Sequence, residues 1–132
     1  MAIGSEGSQV LAIKDEESER PIPTAWRPVI REIVRALLGH DYPLSIGVSG
    51  VASVSLETAE QIRQYIQDYG AELIELPEET WASSVCIWMD CRWDALIDLW
   101  TLSEGRSDLV LSLQISEAGS GFEFKVYMVY VP

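Results

Sequence analysis

The hydrophobic period of the chain changes at Ala71, and this change restricts the possible folds more than any other feature of the sequence. From there to the C-terminus apolar and polar residues alternate, as in strands that bury one face. Five segments follow this pattern, at 71–76, 84–89, 93–101, 109–116 and 122–131. Short polar linkers that contain glycine separate the last three and are typical of hairpin turns. We therefore predict an antiparallel meander of four or five strands.

The residues before Ala71 follow a helical period instead. Apolar residues recur three and four positions apart from Ala25 to Leu38 and again from Leu56 to Tyr69. Thr24 and Ser55 are suitable N-caps for these two helices. Helices that precede strands predict an α+β fold, in which both helices pack on one face of the sheet.

Two segments allow more than one structure. Residues 43–53 are rich in small side chains and fit a short strand with Leu44, Ile46 and Val48 on one side. Residues 93–100 alternate as a strand does, but they also fit a helical stripe, because short apolar runs are ambiguous. That stripe consists of Trp93, Leu96, Ile97 and Trp100.

The length and the distribution of charge predict one domain with an N-terminal arm. A chain of 132 residues is long enough for a single hydrophobic core. Residues 1–20 contain only the apolar patch at 10–13 and the charged run at 14–20, so we expect an acidic arm that is mobile or loosely docked. Residues 21–132 then form one α+β domain.

The strong negative charge favours some partners over others. Acidic residues number 21 against 9 basic ones, which gives a formal net charge of −12. Such a chain repels phosphate backbones and attracts cations, so we expect a basic protein partner and no nucleic acid. The chain has neither a cationic leader nor a long uncharged apolar run, so we expect a soluble cytoplasmic protein that does not bind membranes. The sequence leaves a homo-oligomer open.

Acidic and aromatic residues alternate along the strand at 93–101 and point to a candidate binding face. On the sheet face opposite the helices we expect Asp94, Asp98 and Trp100, together with Trp88 and Tyr127. Aromatic rings supply contact area and carboxylates supply selectivity, as in protein interfaces. The alternative is an ordinary solvated face whose tryptophans are covered by the arm. The candidate binding residues are Trp88, Asp94, Asp98, Trp100, Glu104, Arg106 and Asp108.

The two cysteines, Cys86 and Cys91, favour a structural role. Their spacing, with no second pair and no histidine nearby, matches no common zinc site. We predict small core cysteines without a disulfide, and neither a metal nor a cofactor. The chain's one histidine, His40, lies in the turn after the first helix, so no catalytic residue is predicted.

Three arginines, Arg27, Arg31 and Arg35, recur every four residues on the first helix. The stripe can receive an anionic group or pair with acids of a second subunit. The simpler interpretation is a solvated face that crosses the acidic arm.

The segments 98–109 and 126–132 resemble a small bacterial family of unknown function, and the similarity runs from about Trp26 to Pro132. The resemblance implies a self-standing bacterial domain and no assigned activity. Its most distinctive piece is the turn at 104–108, where we expect Glu104 or Asp108 to hold Arg106. In size and acidity the chain is also similar to bacterial immunity proteins, which neutralise basic nuclease toxins.

Two classes of function therefore compete. The first is a non-enzymatic interaction module that binds a basic protein through the acidic and aromatic face. The second is a small-molecule binder or enzyme with a cone-shaped pocket between the sheet and the first helix. This pocket would be lined by Trp26, Trp88, Trp93 and Tyr127. Charge favours the first class, and the sequence shows no nucleophile with a base and an orienting group.

Overall fold

The alternating segments form one antiparallel sheet in the computed structural model, which describes residues 9–132. The strands run in the order β1–β3–β4–β5–β6, and β2 pairs with the far end of β4. Their bounds are β1 Arg20–Pro21, β2 Leu73–Ile74, β3 Val85–Trp88, β4 Trp93–Thr101, β5 Gly105–Ala118 and β6 Gly121–Tyr130. The α+β prediction is confirmed, with β1 added by the segment before the first helix. Residues 93–101 form a strand, which resolves their ambiguity.

Two helices cover one face of the sheet, α1 at Arg27–Leu38 and α2 at Leu56–Tyr69. Helix α2 has the predicted bounds, because Ser55 Oγ accepts a hydrogen bond from the Thr58 amide at 3.1 Å. The predicted cap of α1 is wrong. A 3-10 turn at Thr24–Trp26 precedes the helix, and Thr24 Oγ1 accepts instead from the Val10 amide at 2.7 Å.

The strand expected at 43–53 is replaced by a loop. Leu44 is buried but has a φ of 57°, while the Ile46 side chain is 92% exposed. The Asp41 carboxylate accepts the amides of Ser45 and Ile46, and these bonds lower the pKa of Asp41. A side chain that binds nearby backbone in this way favours a turn over a strand. The loop instead meets the edge of β6 at Phe124, whose N–H and C=O bond residues 50 and 52 at 2.9 Å.

The core lies between the helices and the inner face of the sheet. Alternate residues of β4 are buried there, namely Trp93, Ala95, Ile97 and Leu99. Trp26 from the 3-10 turn is 0% exposed and packs edge-on against Trp93, with ring centroids 5.5 Å apart. Trp88 and Phe122 complete this aromatic cluster. Aromatic pairs in this geometry add to the stabilisation that burial provides.

The inward face of β6 changes along the strand, which the sequence pattern did not predict. Phe124 and Val126 are buried as expected, but the register against β5 shifts between Ser112 and Leu113. Beyond this bulge Val129 is fully buried opposite Leu111, while Met128 and Tyr130 are only half-buried. One extra residue in a strand shifts the alternation, so the side chains that follow it point to the opposite faces.

The described part of the N-terminal arm lies against the aromatic cluster. The Trp93 indole N–H donates to the Ile13 carbonyl at 2.9 Å. Lys14 Nζ lies 5.0 Å from the ring centroid of Trp88 and 2.8 Å from the Glu117 carboxylate. These contacts attach residues 13 and 14 to the aromatic cluster and to the end of β5.

Candidate functional site

The face of the sheet opposite the helices carries a shallow groove. Asp94, Leu96, Asp98 and Trp100 point to this face, because they alternate with the buried residues of β4. Between β3 and β6 the face encloses about 670 Å³. We call this space the outer groove; it is lined by Glu19, Val85, Cys86, Ile87, Met89, Arg92, Asp94, Leu96, Ser112, Gln114, Tyr127 and Tyr130.

The floor of the outer groove is largely apolar. Val85 and Leu96 lie opposite each other in the β3–β4 ladder and are half-buried. Met89 is 47% exposed and Tyr127 is 57% exposed at its two sides. Tyr127 was predicted on this face, but the aliphatic residues were not. The signal was present, since Leu96 lies midway between Asp94 and Asp98 and must share their face.

The charges of the outer groove are a pair and a single carboxylate. Arg92 Nε lies 2.9 Å from Asp94 Oδ1, and this hydrogen bond raises the pKa of the Arg92 guanidinium. Both side chains are about one-third exposed, so water screens the pair and it contributes little to stability. Glu19 lines the same groove and forms no ion pair with any of residues 9–132. The groove therefore keeps an uncompensated negative charge.

Asp98 has a structural role at the end of the outer face. Its carboxylate accepts a hydrogen bond from Ser83 Oγ. Its amide donates to Ser84 Oγ at 2.9 Å, and its carbonyl accepts from Thr80 Oγ1 at 2.7 Å. Thr80 and Ser84 are both buried, so these bonds satisfy polar groups that would otherwise lack a hydrogen-bond partner. They also attach the 3-10 segment Glu78–Ala82 to β4.

Trp100 and Arg106 lie opposite each other where β4 and β5 meet their hairpin. Gly105, with a φ of 76°, lies under the indole, and a Cβ atom there would be 3.6 Å from the Trp100 ring. Arg106 is exposed and forms no ion pair with Glu104 or Asp108, so the expected contact within the turn is wrong. The reason is that the side chain of Glu104 is bound elsewhere.

Tyr69, the last residue of α2, holds the hairpin. Its hydroxyl donates to Glu104 Oε1 at 2.8 Å and accepts from the Asp108 amide at 3.1 Å. Thr101 Oγ1 donates to the same carboxylate at 3.1 Å. Glu104 and Asp108 therefore belong to a junction between helix and hairpin, away from the outer groove.

Trp88 lies on the inner face, which corrects the face assigned to it. It pairs directly with Trp93 in the β3–β4 ladder, and directly paired residues point to the same side. The two ring centroids are 4.6 Å apart. The period-two pattern placed Trp88 correctly relative to Cys86, but the pairing of β3 with β4 decided which face both occupy.

The seven candidate residues are therefore divided among the outer face, the hairpin and the aromatic cluster. Asp94 lines the outer groove, while Asp98, Trp100 and Arg106 lie farther along the same face. Glu104 and Asp108 lie at the hairpin, and Trp88 lies in the aromatic cluster. Whether any of them binds a partner remains a prediction.

The cone-shaped pocket of the alternative function does not form. Trp26 and Trp93 are 0% and 1% exposed and pack against each other, so no space separates them. Tyr127 lies on the opposite side of the sheet, in the outer groove. The tryptophans belong to the core and its edge.

The two cysteines lie in different environments. Cys86 is buried beneath β1, where burial raises the pKa of its thiol to about 11. Cys91 is exposed in the turn between β3 and β4, so the prediction of a core cysteine is right for Cys86 and wrong for Cys91. Within residues 9–132 no three side chains of the His, Cys, Asp or Glu type come together as metal ligands would.

The arginine stripe of α1 is solvated only at Arg35, and all three guanidinium groups are engaged by neighbouring residues. Arg31 binds the Leu76 carbonyl and the Glu78 carboxylate, and Arg35 Nε lies 3.0 Å from Glu75. The guanidinium carbons of Arg27 and Arg31 lie 5.2 and 5.5 Å from the ring centroid of Trp81. These contacts fix the segment between β2 and β3 against α1.

Comparison with known proteins assigns most of this fold to one family. Residues 34–132 match the family described as a domain of unknown function, DUF7668. The chain belongs to this family. No curated protein and no solved structure matches it. The resemblance to a family of unknown function is thereby confirmed, while bacterial origin and likeness to immunity proteins stay predictions.

The DUF7668 match includes α2 and strands β2 to β6, and it begins within α1. Apart from Glu19, every residue that lines the outer groove falls inside it. The N-terminal arm and the 3-10 turn that holds Trp26 precede it. In the part of the DUF7668 chain that the structure describes, none of the helices has the length and apolar character needed to cross a membrane.

Proposed function

We propose that this DUF7668 domain is a non-enzymatic interaction module whose outer groove binds a basic protein. The observation that carries the proposal is the difference in cover between the two faces of the sheet. Helices and the arm bury the inner face, whereas the apolar floor around Leu96 is covered by nothing in residues 9–132. An apolar surface with a polar rim is characteristic of protein interaction sites.

Charge supports a basic partner over a second copy of the chain. Two copies with a formal charge of −12 each repel one another, and the repulsion is strongest at low salt. The unpaired carboxylate of Glu19 and the Asp94–Arg92 pair lie beside the apolar floor. A cationic partner with apolar contact residues complements both features and is steered toward the surface by the field of the whole chain.

The contents of the outer groove support binding over catalysis. Ser112 is the groove's aliphatic hydroxyl, and within the described chain it has no hydrogen bond to a base. His40 stacks on Tyr42 with centroids 6.0 Å apart, at a different pocket. A hydrolytic site needs a nucleophile, a base and an orienting group in contact.

A site-specific cross-link tests the proposal. A photoreactive benzoylphenylalanine replaces Tyr127 in the outer groove or, as the matched control, Tyr65 on α2, which is 40% exposed. Each full-length protein is irradiated in extract of the source organism, and the products are identified by mass spectrometry. We expect one basic protein to be linked at position 127, with no link to it at position 65.

Charge variants show whether the captured protein recognises the groove. Asp94→Lys should abolish the cross-link at position 127, and high salt should do the same. Glu32 is an exposed residue of α1, and Glu32→Lys makes the same charge change away from the groove. This control variant should preserve the cross-link. Asp98→Lys is unsuitable because it also removes the bond from Ser83. Equal capture at both positions, an acidic partner, or full capture by Asp94→Lys would contradict the proposal.

A further inference from the structure

A second and larger groove lies at the free edge of β2. It encloses about 1060 Å³ between the C-terminal ends of α1 and α2, on the helix side of the sheet. We call it the edge groove; its lining includes Leu37, Leu38, Tyr42, Ile66, Glu72 and Leu73. None of its lining residues belongs to the outer groove.

The backbone of β2 offers unpaired groups to the edge groove. The Leu102 amide donates to the Glu72 carbonyl at 2.9 Å, and β2 then pairs Leu73 with Thr101 and Ile74 with Trp100. Backbone groups alternate in direction along an antiparallel strand, so those of Leu73 and Glu75 point away from β4. In the described chain no other backbone group bonds them. A strand edge of this kind can accept another strand.

The walls of the edge groove suit the side chains of such a strand. Leu37 is buried and Leu38 and Ile66 are half-buried, so apolar atoms form the wall toward the helices. In an added strand every second side chain would face this wall, and the others would face solvent. The expected segment is therefore extended and alternates apolar with polar residues.

The charge of the edge groove selects for cations. Glu72 is exposed and forms no ion pair in residues 9–132, while Arg63 is held by Glu60 and by Gln67 Oε1 at 2.7 Å. Helix α2 ends at Gly70, and a helix C-terminus carries partial negative charge on its last carbonyls. A lysine or arginine next to the strand would meet both the carboxylate and the helix end.

We propose that the edge groove binds an extended, lysine- or arginine-bearing segment of another protein, which adds a strand to β2. Hydrogen bonds to the backbone of Leu73 and Glu75 hold the segment, its apolar side chains occupy the groove, and a cation pairs with Glu72. This interaction is independent of the outer groove.

A synthetic peptide tests the proposal on the full-length protein. The probe is a fluorescently labelled octapeptide of alternating valine and lysine with blocked ends. The controls are the valine–glutamate octapeptide and a version whose valines are replaced by prolines, which lack the amide hydrogens that a ladder requires. We expect only the first peptide to raise the fluorescence anisotropy and to slow hydrogen exchange at the amides of Leu73 and Glu75.

Two charge variants separate this site from the outer groove. Glu72→Lys should weaken binding of the valine–lysine peptide by about tenfold or more, whereas Asp94→Lys should leave its affinity unchanged. Absence of binding, equal binding of the glutamate or proline peptides, or protection at amides outside 72–75 would overturn the proposal. Loss of binding in Asp94→Lys alone would place the peptide in the outer groove and would also overturn it, while leaving the proposed function intact.

Discussion

The inner and outer faces of the sheet both carry apolar residues but have different surroundings. On β4 the inner face carries Trp93 and Ile97, which are fully buried, and the outer face carries Leu96 and Trp100, which are half-buried. Helices pack on the first face, whereas no helix of residues 9–132 covers the second around Leu96. One alternating pattern therefore gives a core where other elements cover it and a candidate interface where they do not.

The polar residues of the two faces differ in the same way. At the end of β4, Thr80 and Ser84 are buried and bind the backbone of Asp98. In the outer groove, Asp94 and Arg92 form a pair that water can screen. Buried polar groups therefore hold the fold together, while the exposed pair is free to exchange its contacts for those of a partner.

Truncation of neighbouring residues on β4 gives the largest expected difference between the faces. Ile97→Ala removes a fully buried side chain and should lower the free energy of unfolding by about 2–5 kcal/mol. Leu96→Ala removes a half-buried one and should cost less than about 1.5 kcal/mol. Urea unfolding followed by tryptophan fluorescence measures both. Equal costs would show that the outer face is covered in solution.

Loss of a buried hydroxyl should have the next largest effect. Thr80→Val keeps the shape of the side chain but leaves the Asp98 carbonyl without its donor, so unfolding should become easier by about 1–3 kcal/mol. Asp94→Asn weakens only the exposed pair and should change stability by less than about 1 kcal/mol. If Asp94→Asn lowered the free energy of unfolding more than Thr80→Val does, the expected difference between buried and exposed polar groups would be wrong.

Tyr69→Phe tests the junction between α2 and the hairpin, where neither face is involved. The substitution removes the hydroxyl that bonds Glu104 and the Asp108 amide, and we expect a loss of about 0.5–1.5 kcal/mol. Hydrogen exchange at the Asp108 amide should become faster, while exchange at core amides such as Leu111 should follow only the global change. An unchanged rate at Asp108 would contradict the contact.

The two thiols differ in exposure, and the buried one makes stability depend on pH. Iodoacetamide at neutral pH should modify exposed Cys91 and spare buried Cys86. Burial raises the pKa of Cys86 from 9.0 to about 11, so between these values the unfolded chain loses the proton that the folded chain retains. Stability that is present below pH 9 should therefore fall as the pH rises toward 11. A Cys86→Ala variant should lack this part of the pH dependence.

Local patterns were sufficient for several elements of the fold. Helix α2 and strand β4 have the predicted bounds, because the cap at Ser55, the left-handed Gly70 and the strict alternation of β4 all act over a few residues. The cap of α1 was wrong because Thr24 is engaged by the distant Val10. The strand at 43–53 was wrong because the Asp41 carboxylate folds the loop around itself.

The candidate site was predictable only in part. The alternation of side chains along β4 predicted Asp94, Asp98 and Trp100 on one face, and the structure confirms this. The alternation of side chains along one strand does not determine how that strand pairs with its neighbours. The predicted face of Trp88 was therefore wrong. The alternation also gives no sign of a β-bulge. The position of Tyr130 in the outer groove was therefore not predicted.

By itself, the sequence determined the α+β class, most of the helix and strand segments and the strongly acidic character of this chain. These follow from periodicity, capping residues and composition, each of which is encoded within one element. Only the tertiary structure decided which face of the sheet is covered, where the bulge falls and how β2 is left with a free edge. These depend on contacts between residues that are far apart in the chain, and the free energy of such contacts is set by packing that no single segment contains.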